Sequence, residues 1–308
     1  MNKKIKPKLI VILGPTASGK TGLAVKLARE INGEIVSADS RQVYVGMDVG
    51  TGKDLKEYEI GKIPYHLIDV VDPKKEFNIA RYKEMAEKAI QEIVNRNKIP
   101  ILVGGSGLYL QAVVDNYQLS KFKDDKNSRK ELEKFSVEEL FLKIKKINSK
   151  FANKLNISDR KNKRRLIRYI EIQKQGIKTF KKGSNKYDVL MIGLTEQKEI
   201  INQKIYKRLI DRLEKEDMVE EIKNLHKQGV SWRRLESFGL EYKFISQYLQ
   251  DKFPYDEMVE KLFIAIRQFA KRQMTWFRRW ERQGRQIQWF PAKEDYKNVL
   301  KLAKNFIK

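Results

Sequence analysis

Lys20 and Thr21 close the run Gly14-Pro15-Thr16-Ala17-Ser18-Gly19-Lys20-Thr21, which fits the spacing G-x-x-x-x-G-K-[ST]. Those residue types at that spacing make a phosphate cradle: the glycines let backbone N–H groups approach an anion, the lysine brings a mobile positive charge, and the threonine hydroxyl reaches Mg²⁺. An ordinary glycine-rich turn lacks the flanks that a cradle needs. Here the apolar run Leu9 to Leu13 predicts a strand before the loop, and Gly22 to Ile31 predicts a helix after it, with its positive dipole end aimed at the same point.

A cradle does not say what happens to the phosphates. The second chemistry-bearing stretch is Glu34-Ile35-Val36-Ser37-Ala38-Asp39-Ser40-Arg41-Gln42-Val43-Tyr44, in which Asp39 follows a predicted strand Glu34 to Ala38. In a doubly wound sheet, ligands lie beyond the carboxyl ends of the strands, so Asp39 emerges beside the cradle as a general base or a Mg²⁺ ligand. Capping a turn is the other ordinary role for Asp-Ser at such a place. The chain has no cysteine and two histidines, His66 and His226, which excludes disulfides, thiolate nucleophiles and Cys- or His-based zinc sites. The metal expected is Mg²⁺ held by oxygens. His66, on an apolar strand, reads as a structural histidine.

The elements that must position these residues alternate along the first part of the chain. Period and punctuation predict strands at Leu9 to Leu13, Glu34 to Ala38, His66 to Val71 and Ile99 to Val103, with helices from Lys20, over Ile79 to Asn97 and from Gly107. That is an α/β fold with a parallel sheet, a P-loop-like core whose apolar strands are covered on both faces. From about Lys121 to Lys186 the chain turns helical with no clear strand, and has about twice as many basic as acidic residues. A strand returns at Asp188 to Leu194, so residues 119–186 read as a helical basic insertion domain, and residues 1–118 plus 187–308 as the catalytic core. The rest predicts helices over Ile200 to Lys227, Tyr242 to Gln250, Tyr255 to Arg282 and from Glu294, with a strand-like Gln286 to Phe290.

Lysine and arginine outnumber aspartate and glutamate by 65 to 40, a formal charge of +25 that favours a polyanionic partner. No apolar run approaches a membrane span and the start resembles no signal segment, so a cytoplasmic protein with no membrane association is expected. Arg160, Lys161, Lys163, Arg164, Arg165 and Arg168 crowd one helical segment, which suits phosphate neutralisation as well as a solvated basic face. Arg267, Lys271, Arg272, Arg278, Arg279 and Arg282 interleave with Phe269, Trp276, Phe277 and Trp280; Phe269 and Phe277 are expected to pack inward while the arginine face meets RNA.

Taken together these motifs resemble the tRNA dimethylallyltransferases, also called tRNA isopentenyltransferases, of the bacterial type. Gly14 to Thr21 is similar to the family's phosphate loop, Asp39-Ser40-Arg41-Gln42-Val43-Tyr44 to its second motif, and Met47-Asp48-Val49-Gly50-Thr51-Gly52-Lys53 to its third. Pro64 to Asp69 resembles its His-Leu-Ile-Asp strand and Val103-Gly104-Gly105-Ser106-Gly107-Leu108-Tyr109 its Gly-Gly-Thr-Gly-Leu-Tyr. Arg164-Arg165-Leu166-Ile167-Arg168 resembles its insertion-helix signature, and Lys271 to Arg278 its C-terminal one. The resemblance spans essentially the whole chain in the family's order. Gly52 stands where the family usually has alanine, Ser106 where it usually has threonine, and Glu216 near a position that is often glycine.

The resemblance implies transfer of a dimethylallyl group from dimethylallyl diphosphate to N6 of adenine 37, beside the anticodon of tRNAs reading codons that begin with U, with pyrophosphate leaving and Mg²⁺ as cofactor. It implies Asp39 as the base for the N6 proton, a hydroxyl role for Ser106, and diphosphate and metal held by the loop, Lys20 and Thr21. The resemblance also implies an arginine on the diphosphate from the helix after the returning strand, which spacing aligns with Arg208. Asp39, Ser40, Arg41, Gln42 and Ser106 are implied to meet the extruded base and its neighbours. Arg164, Arg165, Leu166, Ile167 and Arg168 are implied to meet the anticodon stem-loop, with Lys271, Arg272 and Arg278 also on the tRNA. A monomer is expected. An ATP-dependent kinase, an enzyme prenylating free AMP, and an RNA-binding protein with a relic loop are the alternatives.

Overall fold

The computed structural model of the chain describes residues 6–119, 126–175, 181–292 and 295–308. The expected starts of the insertion at Lys121 and of the last helix at Glu294 lie outside them. The chain divides into two compact units, one running to Asn116 and resuming at Asn185, the other spanning Tyr117–Ser184.

The first unit opens with strand β1 (Lys8–Leu13), helix α1 (Lys20–Glu30), β2 (Gly33–Ser37), α2 (Leu55–Gly61), β3 (Tyr65–His66), α3 (Ile79–Asn95), β4 (Ile99–Gly104) and α4 (Gly107–Val114). The second unit holds β5 (Tyr117–Gln118), α5 (Lys126–Leu132), α6 (Val137–Ile147), α7 (Ser149–Lys154), α8 (Ile157–Arg160), α9 (Lys163–Lys174) and β6 (Lys181–Lys182). The chain then returns through β7 (Asp188–Thr195), α10 (Lys198–Glu214), α11 (Met218–Lys227), α12 (Trp232–Ser237), α13 (Leu240–Tyr248), α14 (Tyr255–Arg282), β8 (Gln288–Pro291) and α15 (Tyr296–Ile307). Among the described residues no helix is long and apolar enough to cross a membrane.

All six strands of the main sheet run parallel, in the order β3-β2-β4-β1-β7-β8. Central β1 is buried on both faces. Leu9, Val11 and Leu13 pack with residues of α3, α4 and α14, whereas Ile10 and Ile12 pack with α1 and α15. Full burial of each such side chain is worth roughly 1.5–3 kcal/mol, and strand alternation sends successive residues to opposite faces. A third cluster joins α10, α11, α13 and α14 over Val43, Tyr44 and Met47 of the segment after β2.

The sheet differs from expectation at β3, which is two residues long rather than the predicted His66 to Val71. Leu67 and Asp69 take left-handed backbone angles, φ 65 and 55. Asp69, Val70 and Val71 then donate to the carbonyls of Gln42 and Val43, so this segment supports the second motif instead of extending the sheet. The predicted helix Ile200 to Lys227 is two helices, broken at Asp217 with φ 53. That left-handed residue adjoins Glu216, and it explains why glycine suits this neighbourhood. The second unit contains a strand pair that the sequence reading lacked: β5 and β6 pair antiparallel, Tyr117 with Lys182 and Gln118 with Lys181. Two-residue strands leave no alternation to read.

At the amino end of β2, opposite the site, Glu34 accepts from Arg96 Nη2 at 2.6 Å and Nε at 3.2 Å, pairs with Lys98 at 3.0 Å, and lies 2.7 Å from His66 Nε2. His66 is thus the structural histidine expected. Burial pushes the Glu34 carboxyl up, but the bonds from Arg96, His66 and Lys98 outweigh it and hold it down at about 2. A depressed carboxylate contributes stability above its unfolded value and loses it as pH falls toward about 2. Glu34→Gln is expected to cost about 1.5–3 kcal/mol in urea unfolding at neutral pH and to leave activity unchanged. Unaltered stability would remove this cluster from the account.

Candidate active site

The loops that follow β1, β2 and β4 converge on one cavity of about 350 Å³ at the carboxyl end of the sheet. Thr16, Ala17, Gly19, Lys20 and Thr21 line it, while Gly14, Pro15 and Ser18 are buried behind. Ala17 (φ 62) and Gly19 (φ 80) both turn left-handed, bending the loop into the kind of concavity that presents amides to an anion. Lys20 Nζ reaches back across the loop to the Pro15 carbonyl at 2.6 Å. The Thr16 N–H is not available to an anion, because it donates to Gln273 Oε1 at 2.8 Å.

The cavity is strongly cationic on one side. Helix α10 presents Lys204, Arg208 and Arg212, four residues apart and therefore on one face. Arg208 donates to the Thr16 hydroxyl, which joins it to the phosphate loop. Burial and neighbouring Arg212 lower the Arg208 guanidinium to about 10. Lys20 is pulled down further, to about 7, by burial and by Arg208, against the opposing pull of Asp39 and Asp54. Lys204 pairs with Glu196 at 3.0 Å and Arg212 with Asp54 at 3.4 Å, whereas Lys20 and Arg208 bond neutral oxygens, the Pro15 carbonyl and the Thr16 hydroxyl.

Asp39 lines the same cavity, just beyond β2. Its Oδ1 accepts from the backbone N–H of Arg41 at 2.8 Å and of Gln42 at 3.4 Å, so the capping role exists; Oδ2 makes no hydrogen bond among the described residues. Capping therefore engages one carboxylate oxygen and leaves the other unbonded among the described residues. Ser40 donates its N–H to Ser106 Oγ at 3.3 Å, tying the second motif to the start of α4. Val103, Gly104 and Gly105 form the wall there, and Ser106 follows them. Arg41 pairs with Glu241 of α13 at 2.5 Å. The Gln42 carboxamide accepts from Ser37 Oγ at 2.9 Å and donates to the Gly52 carbonyl at 2.8 Å.

Phe269 corrects one expectation. It does not pack inward: it is half-buried and forms cavity wall, with the guanidinium groups of Arg41 and Arg272 each 6.0 Å from its ring centre. Phe277 and Trp280 of the same helix do fill the core, beside α3 and α4. The stripe spacing identified a buried face, but it did not show that the face runs past a cavity. Arg267, Lys271, Arg272, Arg278 and Arg282 are exposed.

Three further ties escaped the sequence reading. Lys53, buried, donates to the Tyr44 carbonyl at 2.8 Å, to Asp48 at 2.5 Å and to Asp69. Glu221 accepts from the backbone N–H groups of Asp48, Val49 and Gly50 at 2.8, 2.7 and 3.1 Å. Gly52, where alanine was the usual residue, has φ 64, and a Cβ there would stand 2.3 Å from Arg212 Nη2. The substitution makes room for a cavity arginine.

In the second unit, Arg164 and Arg165 are exposed on α9, and Arg165 pairs with Asp159 at 2.5 Å. Leu166 and Ile167 are buried in the core of that unit with Leu140, Ile144 and Ile170. Their side chains hold the helix in place, while Arg164 and Arg165 of the same run stay exposed.

Residues 42–280 match the family described as IPP transferase. A tRNA dimethylallyltransferase 1 of Syntrophus aciditrophicus (strain SB) is 46% identical over 301 residues, 96% of this chain and 97% of that one. Its namesake in Geotalea uraniireducens (strain Rf4) is 45% identical, covering 93% of each. Among solved structures, the full-length tRNA isopentenylpyrophosphate transferase of Bacillus halodurans aligns with TM-score 0.71 and 35% identity over 98% of this chain and 96% of that chain. A eukaryotic dimethylallyltransferase described as acting on tRNA aligns with TM-score 0.82 and 27% identity, over 98% of this chain and 79% of its own.

Proposed function

Because the chain belongs to the IPP transferase family, in which its relatives are tRNA dimethylallyltransferases, we propose that it moves the dimethylallyl group of dimethylallyl diphosphate to N6 of adenine 37 in tRNAs reading codons that begin with U. The observation that carries this reading is one cavity lined by both the phosphate loop and Asp39. A diphosphate held by the loop and an amine held at Asp39 are then neighbours.

The N6 lone pair attacks the first carbon of the dimethylallyl group, the bond from that carbon to the diphosphate oxygen breaks, and the electron pair departs with pyrophosphate. Lys20 and Arg208 stabilise the charge that develops there, the largest contribution that such fixed donors make. Asp39 Oδ2 takes the proton that N6 gives up, while Oδ1 keeps the loop capped. Ser106 holds the second motif through Ser40, and Arg41 and Gln42 stand beside the extruded base.

The site's donors fit Mg²⁺ shared with the ligand. Thr21 would supply a hydroxyl to it, and among the described residues no group of three or more His, Cys, Asp or Glu side chains makes a protein cage. When bound, Mg²⁺ neutralises diphosphate charge. Arg164, Arg165 and Arg168 of the insertion, with Lys271, Arg272 and Arg278, engage the anticodon stem-loop, and the enzyme works as a cytoplasmic monomer.

Single-turnover incubation with labelled dimethylallyl diphosphate, Mg²⁺ and an anticodon stem-loop tests the reading, beside free AMP and labelled ATP. Label in the stem-loop at adenine 37 is expected. Label in AMP alone would make the acceptor a free nucleotide, and phosphate transfer without prenylation would make the enzyme a kinase.

A further inference from the structure

Helix α14 buries a stripe at helical spacing that includes Ile266, Ala270, Phe277 and Trp280, and in its midst lies a polar residue, Gln273, only 5% exposed. A carboxamide at such a place costs free energy unless its groups are paired. Both ends of this one are. Its Oε1 accepts from the Thr16 N–H at 2.8 Å, and its Nε2 donates to the Gly105 carbonyl at 3.0 Å.

The two partners stand on different walls of the cavity: Thr16 in the loop after β1, Gly105 in the loop after β4. The approach is close enough to dictate a residue, since a Cβ on Gly105 would lie 2.1 Å from Gln273 Nε2. Next to Gly105, the Ser106 hydroxyl accepts the N–H of Ser40, which adjoins Asp39. Gln273 thus links the cradle to the base through three hydrogen bonds. On the other side of the loop, Arg208 holds the Thr16 hydroxyl.

We propose that Gln273 is a positioning residue for the transfer: its carboxamide clamps the phosphate loop to the β4 loop and sets the separation between the bound diphosphate and Asp39. The proposal rests on the prenyl-transfer reading above. Gln273 touches no reacting atom in this account, and its effect passes through Thr16 on one side and Gly105 on the other. A methionine of similar size would fill the stripe and satisfy packing, yet leave Thr16 N–H and the Gly105 carbonyl unpaired and the two loops free to drift. Displacement of reacting groups by about 1 Å is enough to cost roughly 100-fold in rate.

The test compares wild type, Gln273→Met and Gln273→Glu as full-length proteins in the single-turnover assay, from about pH 6 to about pH 8.5, with thermal melts and stem-loop affinities measured alongside. Gln273→Met is expected to slow the transfer step about 10- to 100-fold at every pH while stem-loop affinity stays within about twofold. Gln273→Glu separates positioning from packing. Protonated, its carboxyl accepts from Thr16 and donates to the Gly105 carbonyl as the amide does; ionised, it faces that carbonyl without a proton. Its rate relative to wild type is therefore expected to climb at least about fivefold from high to low pH, with the Gln273→Met ratio flat. Lys20, Asp39, Arg41, Asp54, Glu57, Lys204, Arg208, Arg212 and Glu241 also line the cavity in all three proteins, and the Gln273→Met ratio, which adds no charge, shows what their titration contributes. A Gln273→Met enzyme that transfers at the wild-type rate, or a Gln273→Glu ratio that does not move with pH, overturns the proposal. Wild-type protein that fails to label the stem-loop overturns the reading beneath it, a different result.

Discussion

Asp39→Asn is expected to lower the single-turnover rate of prenyl transfer by about 10²- to 10⁴-fold, the range spanned by general-base catalysis, while stem-loop affinity changes by less than about twofold. Asparagine is the informative replacement because Asp39 has two jobs. Its Oδ1 caps the turn through Arg41 and Gln42, and an asparagine oxygen accepts those same N–H groups, so the second motif keeps its shape. What is lost is a basic oxygen at the cavity. Asp39→Ala removes cap and base together, and its larger loss would include a displaced loop. Retention of full turnover in the asparagine variant would take the base assignment away from Asp39.

Lys20→Met is expected to reduce the transfer rate by about 10²- to 10³-fold, the usual consequence of deleting one donor aimed at a developing oxyanion. A second signature is specific to this lysine. In the empty site, burial and Arg208 lower its ammonium to about 7, and a bound diphosphate restores the preference for the charged form. Above that value binding takes up a proton, so affinity for pyrophosphate falls as pH rises from about 7 toward the raised value of the complex. In the ligand-free protein the sign for folding is the reverse. The unfolded lysine holds its proton up to its ordinary value of 10.5, more protons are bound by the unfolded chain between about 7 and there, and this group's contribution to stability rises with pH across that window. Calorimetric titration of pyrophosphate at about pH 8 in two buffers of unlike ionisation enthalpy reads the proton directly. Buffer-dependent heat in wild type, absent in Lys20→Met, is the expected pair. Equal heats in both buffers for wild type would mean that Lys20 is already charged in the empty site.

The phosphate loop, Asp39 at a strand end and the parallel sheet were legible in the sequence because each is local. A cradle needs eight consecutive residues with a strand and a helix beside them, and the unbroken apolar run of β1 reports burial on both faces without reference to any distant residue. The basic helix signatures were legible for the same reason, though only in part. Arg164 and Arg165 are exposed as their charge requires, whereas Leu166 and Ile167, in the same short run, turn into the core, since a helix rotates each residue about 100° from the last.

The composition of the cavity wall was decided elsewhere. Glu241 against Arg41, Arg208 on Thr16, and Gln273 between Thr16 and Gly105 join residues 168 to 257 positions apart in the chain, and no periodicity extends that far. Phe269 sits at core-like spacing on α14 and still lines the cavity, with the Arg41 guanidinium of the distant second motif 6.0 Å from its ring centre. A sequence by itself determines which residues will be buried on an element and which groups a local loop presents. Which distant side chain then meets a freed N–H or carbonyl depends on how the helices pack across the end of the sheet, and here that packing alone put a glutamine where the two loops of the site come together.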